Sequence, residues 1–397
     1  MTSSQWIDME KQYYMFTVRR QPVVLARGEG TKVWDVEGKE YLDFCAGWAV
    51  DNLGHSHPAI TEAITRQAST LMQTSNQFYT LPQLQLAQLL VENSALDKVF
   101  LSNSGAEALE GVSKLARKYG KKNRDGAYEV ITAFNSFHGR TMSMVAATGQ
   151  PHYQEPFQPL TPGFVHVDYN NVEAIMEATT DRTAAVLLEP VQGEGGVIIP
   201  SPDYLPRVRE WCDSQGLLLL LDEVQTGFGR LGTLFGYESF GIEPDGMALA
   251  KGLGGGVPIG AFMSKDQCMA LEPGDHGSTF GGNALTCAAA YASTSYIIDN
   301  DVSANARRMG EYLRDGLEGL KSRYSFIADV RGLGLLMAME FDDNISGKVV
   351  AQCNEEGLLL NPVKPNAIRF MPPLNITPAE IDPAVERLEA ALKAVSA

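Results

Sequence analysis

The sequence has few positive charges, few cysteines and no long apolar segment. Lys and Arg number 32 against 48 Asp and Glu, and the net charge of −16 argues against a surface for nucleic acid or an anionic membrane. The five cysteines show no spacing of metal ligands or of a disulfide framework, so we expect no metal and a reducing compartment. No apolar run approaches about 18 residues, and the N-terminal residues lack the apolar core of a signal peptide. We therefore expect a cytoplasmic protein without a membrane span.

Apolar segments of strand length alternate with segments of helical spacing through much of the chain. Strands are predicted at 98–101, 129–133, 164–167, 184–188, 217–221 and 247–250. One helix is predicted to begin at Gly105 and to end with a C-cap at Gly120. Such alternation is typical of a mainly parallel sheet covered by helices. After residue 284 it stops, which indicates a second, smaller domain.

The segment from Leu217 to Lys251 carries the clearest chemical signal. A run of five leucines suits a strand buried on both faces of a parallel sheet, and this strand ends at Asp222. A second strand then leads into Lys251 and a glycine-rich loop. Ligands bind at the carboxyl ends of strands in such sheets, so both side chains are expected at one site. Pyridoxal phosphate requires a lysine that forms a Schiff base and an acid that keeps the pyridine nitrogen protonated.

Each of these residues alone has an ordinary explanation. An Asp at a strand end is usually a turn or cap residue, and a Lys is usually solvated. The glycines after Lys251 could also form a dinucleotide loop, but that motif needs a following helix, and Val257–Ser264 is predicted as a strand. The combination therefore favours the cofactor.

Other strands are also followed by loops suited to a ligand. Ser104, Gly105 and Ala106 form a strand-to-helix turn, where free N–H groups and the helix dipole favour an anion. An N-cap serine without a ligand is the alternative. Phe137 and Glu189 follow two further strands, so all of these residues are expected at one edge of the sheet.

Eight segments, in order, resemble the class III (ornithine-type) aminotransferases: LGHSHP, SNSGAEA, SFHGRT, LLEPVQGEGG, LLLDEVQTGFGR, ALAKG, GSTFGGN and RFMPPL. The resemblance implies an α/β enzyme of fold type I, the aspartate aminotransferase fold. Its large domain would hold a mainly parallel seven-stranded sheet, beside a smaller α+β domain. The expected boundaries are 1–47 for an N-terminal arm and part of the small domain, 48–283 for the large pyridoxal-phosphate domain, and 284–397 for the C-terminal small domain.

The resemblance also implies roles around the cofactor. Lys251 and Asp222 would be the catalytic residues, and the freed Lys251 amine would move a proton as base and then as acid. The remaining cofactor-binding residues would be Ser104, Gly105, Ala106, Phe137, His138, Glu189, Val224, Gln225 and Thr279. Thr279 would reach the phosphate bound by the partner subunit, so the resemblance implies a homodimer with shared sites.

Two arginines are implied to bind the two small-molecule substrates. Arg140 would hold the distal carboxylate of the amino donor, although a surface salt bridge is the alternative for this residue. Arg369 would hold the α-carboxylate of glutamate or 2-oxoglutarate. Glu194 would pair with Arg369 when that carboxylate is absent, because an unpaired guanidinium in an apolar site is unfavourable.

Within the family, the segments SNQFYT and NPVKPNAIRFMPPLNIT most resemble acetylornithine aminotransferases of arginine biosynthesis. The expected reaction gives N-acetylglutamate 5-semialdehyde and glutamate from N2-acetylornithine and 2-oxoglutarate. Trp48, expected in the substrate pocket, and Leu109 depart from that subfamily's pattern. Ornithine, 4-aminobutyrate, a lysine-pathway amine or another primary amine are the alternative donors.

Two other functions are compatible with the fold. An aminomutase would need no 2-oxoglutarate, so the presence of both Glu194 and Arg369 speaks against it. A non-catalytic regulatory relative would commonly lose the lysine, whereas Lys251 and Asp222 are both present.

Overall fold

The computed structural model describes residues 1–396. Within them the strands are β1 (Leu25–Glu29), β2 (Lys32–Asp35), β3 (Glu40–Asp43), β4 (Lys98–Ser102), β5 (Glu129–Ala133), β6 (Phe164–Val167), β7 (Thr183–Leu188), β8 (Leu218–Asp222), β9 (Gly246–Leu249), β10 (Gly260–Ser264), β11 (Ile327–Leu333), β12 (Leu336–Phe341), β13 (Leu358–Leu359), β14 (Asn361–Lys364) and β15 (Ala367–Phe370).

The helices cover the sheets and connect their strands. They are α1 (Ser3–Tyr13), α2 (Ala46–Ala49), α3 (Pro58–Ala68), α4 (Leu81–Glu92), α5 (Gly105–Asn123), α6 (Met142–Ala147), α7 (Pro151–Gln154), α8 (Val172–Ala178), α9 (Tyr204–Gln215), α10 (Ala284–Asp299), α11 (Val302–Arg323), α12 (Ser346–Glu355) and α13 (Pro378–Ser396). No helix in residues 1–396 has the length and apolar character needed to cross a membrane.

A seven-stranded sheet forms the centre of the molecule, in the order β4-β10-β9-β8-β7-β5-β6. The strands from β9 to β6 pair in parallel, and β10 runs antiparallel to both of its neighbours. Every residue of β7, β8 and β9 is buried, as expected for strands covered on both faces. The predicted seven-stranded, mainly parallel sheet is confirmed.

Neighbouring strand ends place the predicted catalytic residues side by side. Asp222, the last residue of β8, pairs across the sheet with Ala248 of β9. Lys251 follows β9 in a single 3₁₀ turn. The carboxylate and the amine therefore lie at the same edge of the sheet.

The C-terminal part of the chain forms an antiparallel sheet in the order β11-β12-β15-β14, which carries Arg369 on β15. The N-terminal strands β1, β2 and β3 form a third sheet that is completed by β13, through a parallel pairing of Leu42 with Leu358. Residues near the two ends of the chain thus share one sheet. The domain boundaries at residues 48 and 284 stay a prediction.

The predicted C-cap at Gly120 is wrong, because α5 continues to Asn123. A Cβ atom on Gly120 would lie 2.1 Å from the carbonyl oxygen of Ala127. This glycine therefore permits a close approach of two backbones rather than a helix end.

The turn α2 has an unusual backbone. Ala46, Gly47, Trp48 and Ala49 all have positive φ angles, between 43° and 63°. For residues other than glycine the left-handed region costs roughly 1–2 kcal/mol each, so the surrounding structure must hold this turn in place. The loop that begins here leads towards the central cavity.

Candidate active site

A cavity of about 470 Å³ lies at the carboxyl edge of the central sheet. Ligand pockets for small molecules commonly have this size. Most of the predicted site residues line it: Ser104, Gly105, Ala106, Phe137, His138, Arg140, Glu189, Glu194, Asp222, Val224, Gln225 and Lys251. Residues that lie far apart along the chain therefore meet at one cavity, and their roles stay predictions.

Lys251 provides a half-buried amine in this cavity. Its φ angle of 45° is unusual for a residue other than glycine, and its Nζ forms no hydrogen bond or ion pair with residues 1–396. Burial lowers the pKa of this amine, although the nearby Glu194 opposes the effect. A neutral amine, which can accept a proton or react with a carbonyl group, is thereby favoured.

Asp222 is held by two donors. Its Oδ2 lies 2.8 Å from Nδ1 of His138, and its Oδ1 accepts a hydrogen bond from the backbone N–H of Val224 at 3.1 Å. The Asp222 side chain is only 4% exposed. The carboxylate is thus oriented by its partners and keeps acceptor capacity for a ligand. His138 Nε2, in contrast, is buried without a partner among residues 1–396.

Glu189 is a second buried acid in the cavity. It accepts backbone hydrogen bonds from Phe137 at 3.2 Å and from Gly193 at 3.3 Å. Burial, followed by the charge of Asp222, raises the pKa of Glu189 well above its ordinary value. The neutral form of Glu189 is therefore favoured.

An anion-binding turn faces the cavity at the start of α5. Ser104 is the N-cap, and its Oγ accepts a hydrogen bond from the N–H of Glu107 at 3.3 Å. The N–H groups of Gly105 and Ala106 have no acceptor among residues 1–396. A Cβ atom on Gly105 would lie 3.0 Å from the side chain of Val224, so the absence of a side chain is required here. Free N–H groups at a helix N-terminus suit a phosphate.

The fully buried Arg369 and the half-buried Glu194 form an ion pair, with 2.8 Å between Nη2 and Oε1. Gln225 bridges the pair: its Oε1 accepts from Arg369 Nη1 at 2.8 Å, and its Nε2 donates to Glu194 Oε1 at 3.2 Å. Burial alone would raise the pKa of Glu194. The charges of Arg369 and Lys251, together with hydrogen bonds from Arg369 and Gln225, outweigh burial and lower the pKa to about 2. Arg369 itself is fully buried behind this carboxylate and does not line the cavity.

Arg140 presents a cation without a carboxylate partner among residues 1–396. Its Cζ lies 3.9 Å from the ring centre of Tyr153 and 5.2 Å from that of Phe137. These cation–π contacts orient the guanidinium. It remains available to bind a carboxylate at the rim of the cavity.

Two other predicted site residues lie outside the cavity. Trp48 is 53% exposed, and Val50, two residues later, lines the cavity instead. Thr279 lies in a neighbouring surface depression beside Phe280, and its carbonyl accepts a hydrogen bond from Gln73. The roles expected of both residues stay predictions.

The pattern of the class III aminotransferases matches residues 13–392. The chain belongs to the class III aminotransferases. It is 48% identical over 392 residues to the acetylornithine aminotransferase of Methanocaldococcus jannaschii, covering 98% of each chain. Its identity to the acetylornithine aminotransferase of Gloeobacter violaceus is 50% over 381 residues, covering 96% of this chain and 95% of the relative.

Solved structures of the family superpose closely on this aminotransferase. The ornithine aminotransferase of Toxoplasma gondii ME49 gives a TM-score of 0.96 at 38% identity, covering 100% of this chain and 96% of that one. The acetylornithine aminotransferase of Elizabethkingia anophelis gives 0.90 at 36% identity, covering 99% and 100%. The predicted type I fold is confirmed.

Class III aminotransferases use pyridoxal phosphate, and the residues of the cavity fit this group. Lys251 has an unpaired, half-buried amine, Asp222 has a buried carboxylate with free acceptor capacity, and Gly105 and Ala106 offer two free N–H groups. The three features match the aldehyde, the ring nitrogen and the phosphate of the cofactor.

Several lining residues of the aminotransferase were not predicted. Val50, Asn103 and the segment 256–259 line the cavity, and they carry no chemistry that the sequence marks out. Asn361, whose Oδ1 accepts a hydrogen bond from Arg369 at 2.8 Å, was also missed. It pairs with Arg369 across the β14–β15 hairpin. The Pro365–Asn366 turn between two apolar segments is the signal that could have indicated this pairing.

Proposed function

We propose that this aminotransferase moves the ω-amine of N2-acetylornithine to 2-oxoglutarate, giving N-acetylglutamate 5-semialdehyde and glutamate. The observation that carries the proposal is that Glu194 covers Arg369 with an ion pair at the cavity wall, while Arg140 in the same cavity has no carboxylate partner among residues 1–396. Arg140 is free to bind a substrate carboxylate, whereas Arg369 is already paired with Glu194. The near full-length similarity to acetylornithine aminotransferases supports the same donor and a role in arginine biosynthesis.

Lys251 and Asp222 would hold the cofactor and serve the proton transfers. When bound, pyridoxal phosphate supplies an electron sink that makes the hydrogen on the donor's amine-bearing carbon acidic. Lys251, with its lowered pKa, takes and returns that proton once substrate has displaced it. Asp222 would keep the ring nitrogen protonated, and Ser104, Gly105 and Ala106 would bind the phosphate.

The same cavity must accept two different substrates in turn. Acetylornithine presents a carboxylate far from its reacting amine, which Arg140 binds while Glu194 masks Arg369. Glutamate and 2-oxoglutarate present an α-carboxylate next to the reacting carbon, which displaces Glu194 and binds Arg369. A buried guanidinium therefore has a carboxylate partner in both half-reactions, which avoids an uncompensated charge.

A second donor, free ornithine, is supported by one observation. Ornithine aminotransferase of Toxoplasma gondii superposes over this whole chain with a TM-score of 0.96. The two donors differ in charge, because acetylation removes the positive α-ammonium group. Beside Arg140 that ammonium would be repelled and would need desolvation. We therefore favour the acetylated donor.

A donor panel tests the proposal. The purified enzyme is incubated with 2-oxoglutarate and, separately, N2-acetylornithine, ornithine, 4-aminobutyrate or a phenylalkylamine, and glutamate formation is measured. N2-acetylornithine is expected to give the highest kcat/KM. A higher value for ornithine or for a monoamine would replace the donor without changing the family. No glutamate from any amine would support an aminomutase or a regulatory role.

We also propose a homodimer in the cytoplasm. The segment 73–83 is joined to the loop of Thr279 by hydrogen bonds from Asn76 to Ser278 and Gly281. Next to this junction lie exposed apolar side chains, namely Phe78, Tyr79, Leu81 and Phe280. A second copy would cover them and bring Thr279 to the neighbouring phosphate. Sedimentation at several concentrations tests the assembly, and a monomer with full activity would contradict it.

A cytoplasmic location has separate support. All five cysteines are free rather than paired in disulfides, which is typical of proteins in a reducing compartment. Fractionation of cells that produce the protein would test this location.

A further inference from the structure

The loop that carries Glu194 is held in an uncommon backbone conformation. An antiparallel bridge closes it, with hydrogen bonds between Gln192 and Ile198 of 3.1 and 3.0 Å. Inside the loop, Gly196 has a φ angle of 112° and Val197 one of 56°. A positive φ is rare for a β-branched residue and persists only where contacts impose it. The buried Val197 side chain packs in an apolar cluster with Val191 and Leu336, and a charged residue outside the loop binds its backbone.

That charged residue is Arg331. Its Nε donates to the carbonyl oxygens of Gly196 at 3.0 Å and Val197 at 3.1 Å, and its Nη2 donates to Gly196 at 2.8 Å. Its Nη1 lies 2.9 Å from Asp329 and 2.6 Å from Glu340. Two acids thus orient the guanidinium group. Its planar N–H groups donate hydrogen bonds to two successive carbonyl groups of the loop.

Arg331 and Arg369 lie in one row of the C-terminal sheet. Arg331 of β11 pairs with Ala338 of β12, and Ala338 pairs in turn with Arg369 of β15. Residues paired directly across antiparallel strands point to the same face. Two guanidinium groups on one face of the sheet thus contact the same loop. Arg331 binds the loop backbone, and Arg369 binds the side chain of Glu194 in that loop.

We propose that Arg331 is a positioning residue that sets the choice between the two substrates. By fixing the loop backbone it keeps the Glu194 carboxylate within reach of Arg369, so that only the side chain moves when an α-carboxylate enters. A more mobile loop would weaken the ion pair between Glu194 and Arg369 and leave Arg369 more accessible to substrate. Loss of Arg331 therefore favours glutamate over the ω-amine donor. This inference rests on the proposed function of Glu194.

Arg331→Lys tests the proposal, because it keeps the positive charge beside Asp329 and Glu340 but removes the planar set of N–H donors that binds the loop. Single-turnover rates of the pyridoxal-phosphate enzyme are measured with N2-acetylornithine and with glutamate. The second-order rate constant for N2-acetylornithine is divided by that for glutamate. This ratio is expected to fall roughly threefold to tenfold, as for one or two weakened hydrogen bonds. Arg314→Lys is the matched control, since Arg314 donates to the carbonyl of Gly332 and does not touch the loop. It should leave the ratio unchanged.

The decisive comparison repeats Arg331→Lys in a Glu194→Ala background. With no carboxylate to position, the ratio should show no further change. A purely structural role of Arg331 predicts that the ratio changes equally with and without Glu194. It also allows Arg331→Lys to lower the rates with N2-acetylornithine and with glutamate equally when Glu194 is present. Either result would overturn the proposal.

Gly196→Ala supplies a second variant if Arg331→Lys folds poorly. A side chain at a φ of 112° strains the same loop without altering Arg331, so the same direction of change is expected. An unchanged ratio would contradict the proposal. If N2-acetylornithine proves not to be a substrate, the best amine of the donor panel replaces it, so that a wrong donor is distinguished from a wrong role for Arg331.

Discussion

His138 and Asp222 form a buried pair, with 2.8 Å between the imidazole Nδ1 and the carboxylate Oδ2. The pair joins the loop after β5 to the end of β8, at the point where the ring nitrogen of the cofactor is expected. Removing His138 would leave the carboxylate less well oriented. We expect His138→Ala to lower kcat roughly 10- to 100-fold, the loss of one charge-assisted hydrogen bond.

Two further variants check this expectation. Asn at position 138 can place a donor near the position of Nδ1, so His138→Asn should recover part of the activity. His166→Ala serves as the control, since His166 binds the carbonyl of Ala147 and does not line the cavity. If His138→Ala and His166→Ala have the same kcat, His138 does not assist Asp222.

Lys251 is expected to be the only lysine that holds the cofactor covalently. Borohydride treatment followed by peptide mass spectrometry should find pyridoxal phosphate on Lys251. Lys251→Ala should abolish turnover almost completely and leave the far-UV circular dichroism unchanged, because the side chain forms no hydrogen bond or ion pair with residues 1–396. Lys364, a half-buried lysine of the C-terminal sheet, is a suitable control. Labelling at another lysine would refute the assignment.

The ion pair of Glu194 and Arg369 predicts opposite effects for its two members. Arg369→Ala should damage the half-reaction with glutamate far more than that with the ω-amine. The loss of a charge-assisted carboxylate contact costs about 2–4 kcal/mol, or about 30-fold to 1000-fold. Glu194→Ala should instead improve glutamate as the first substrate. Stopped-flow measurement gives the rate of each half-reaction separately. If Arg369→Ala lowered both rates equally, Arg369 would not be specific for the α-carboxylate.

The lowered pKa of Glu194 predicts a dependence of stability on pH. Its folded pKa of about 2 is below the ordinary value of 4.5. The carboxylate therefore contributes stability that is fully present above the unfolded pKa and is lost as the pH falls through the folded pKa. The difference in unfolding free energy between wild type and Glu194→Gln should be constant above about pH 5 and shrink towards about pH 2. A difference that grows in acid would have the wrong sign.

Trp48 tests the breadth of the donor pocket. The indole is 53% exposed in the single chain, on the left-handed turn that leads to Val50 of the cavity wall. We expect wild type to accept N2-acetylornithine and Trp48→Ile to leave its KM unchanged, because the indole lies outside the cavity. Steady-state kinetics with N2-acetylornithine and a phenylalkylamine provide the comparison. If neither protein uses N2-acetylornithine while the phenylalkylamine reacts well, the amine-transaminase alternative is correct.

The central sheet was predictable because its strands are short, apolar and separated by helical segments. The predicted strands at 129–133 and 164–167 coincide with β5 and β6. The meeting of Asp222 and Lys251 followed from the rule that parallel strands end at one edge. Gly120 was misjudged since its role depends on the position of Ala127, a neighbour in space that helical spacing does not reveal.

The arrangement of Glu194, Arg369 and Arg331 was predictable only in part. Glu194 and Arg369 were identified by resemblance, and their ion pair is present in the structure. The contribution of Arg331 was not predictable, because it depends on the register of three antiparallel strands that place it in one row with Arg369. Register depends on tertiary packing and is weakly encoded in any single segment.

The parallel pairing of β3 with β13 has a consequence for the order of folding. Lys39, beside β3, binds the carbonyl of Asn354, which lies 315 residues further along the chain. During synthesis the N-terminal hairpin must therefore wait for almost the whole chain before its sheet is complete, whereas the strands of the central sheet can pair much earlier. Chain-closure entropy makes such distant pairing a late event. Ribosome-bound chains that stop before β13 should consequently expose the N-terminal hairpin to proteases while the central sheet is already protected.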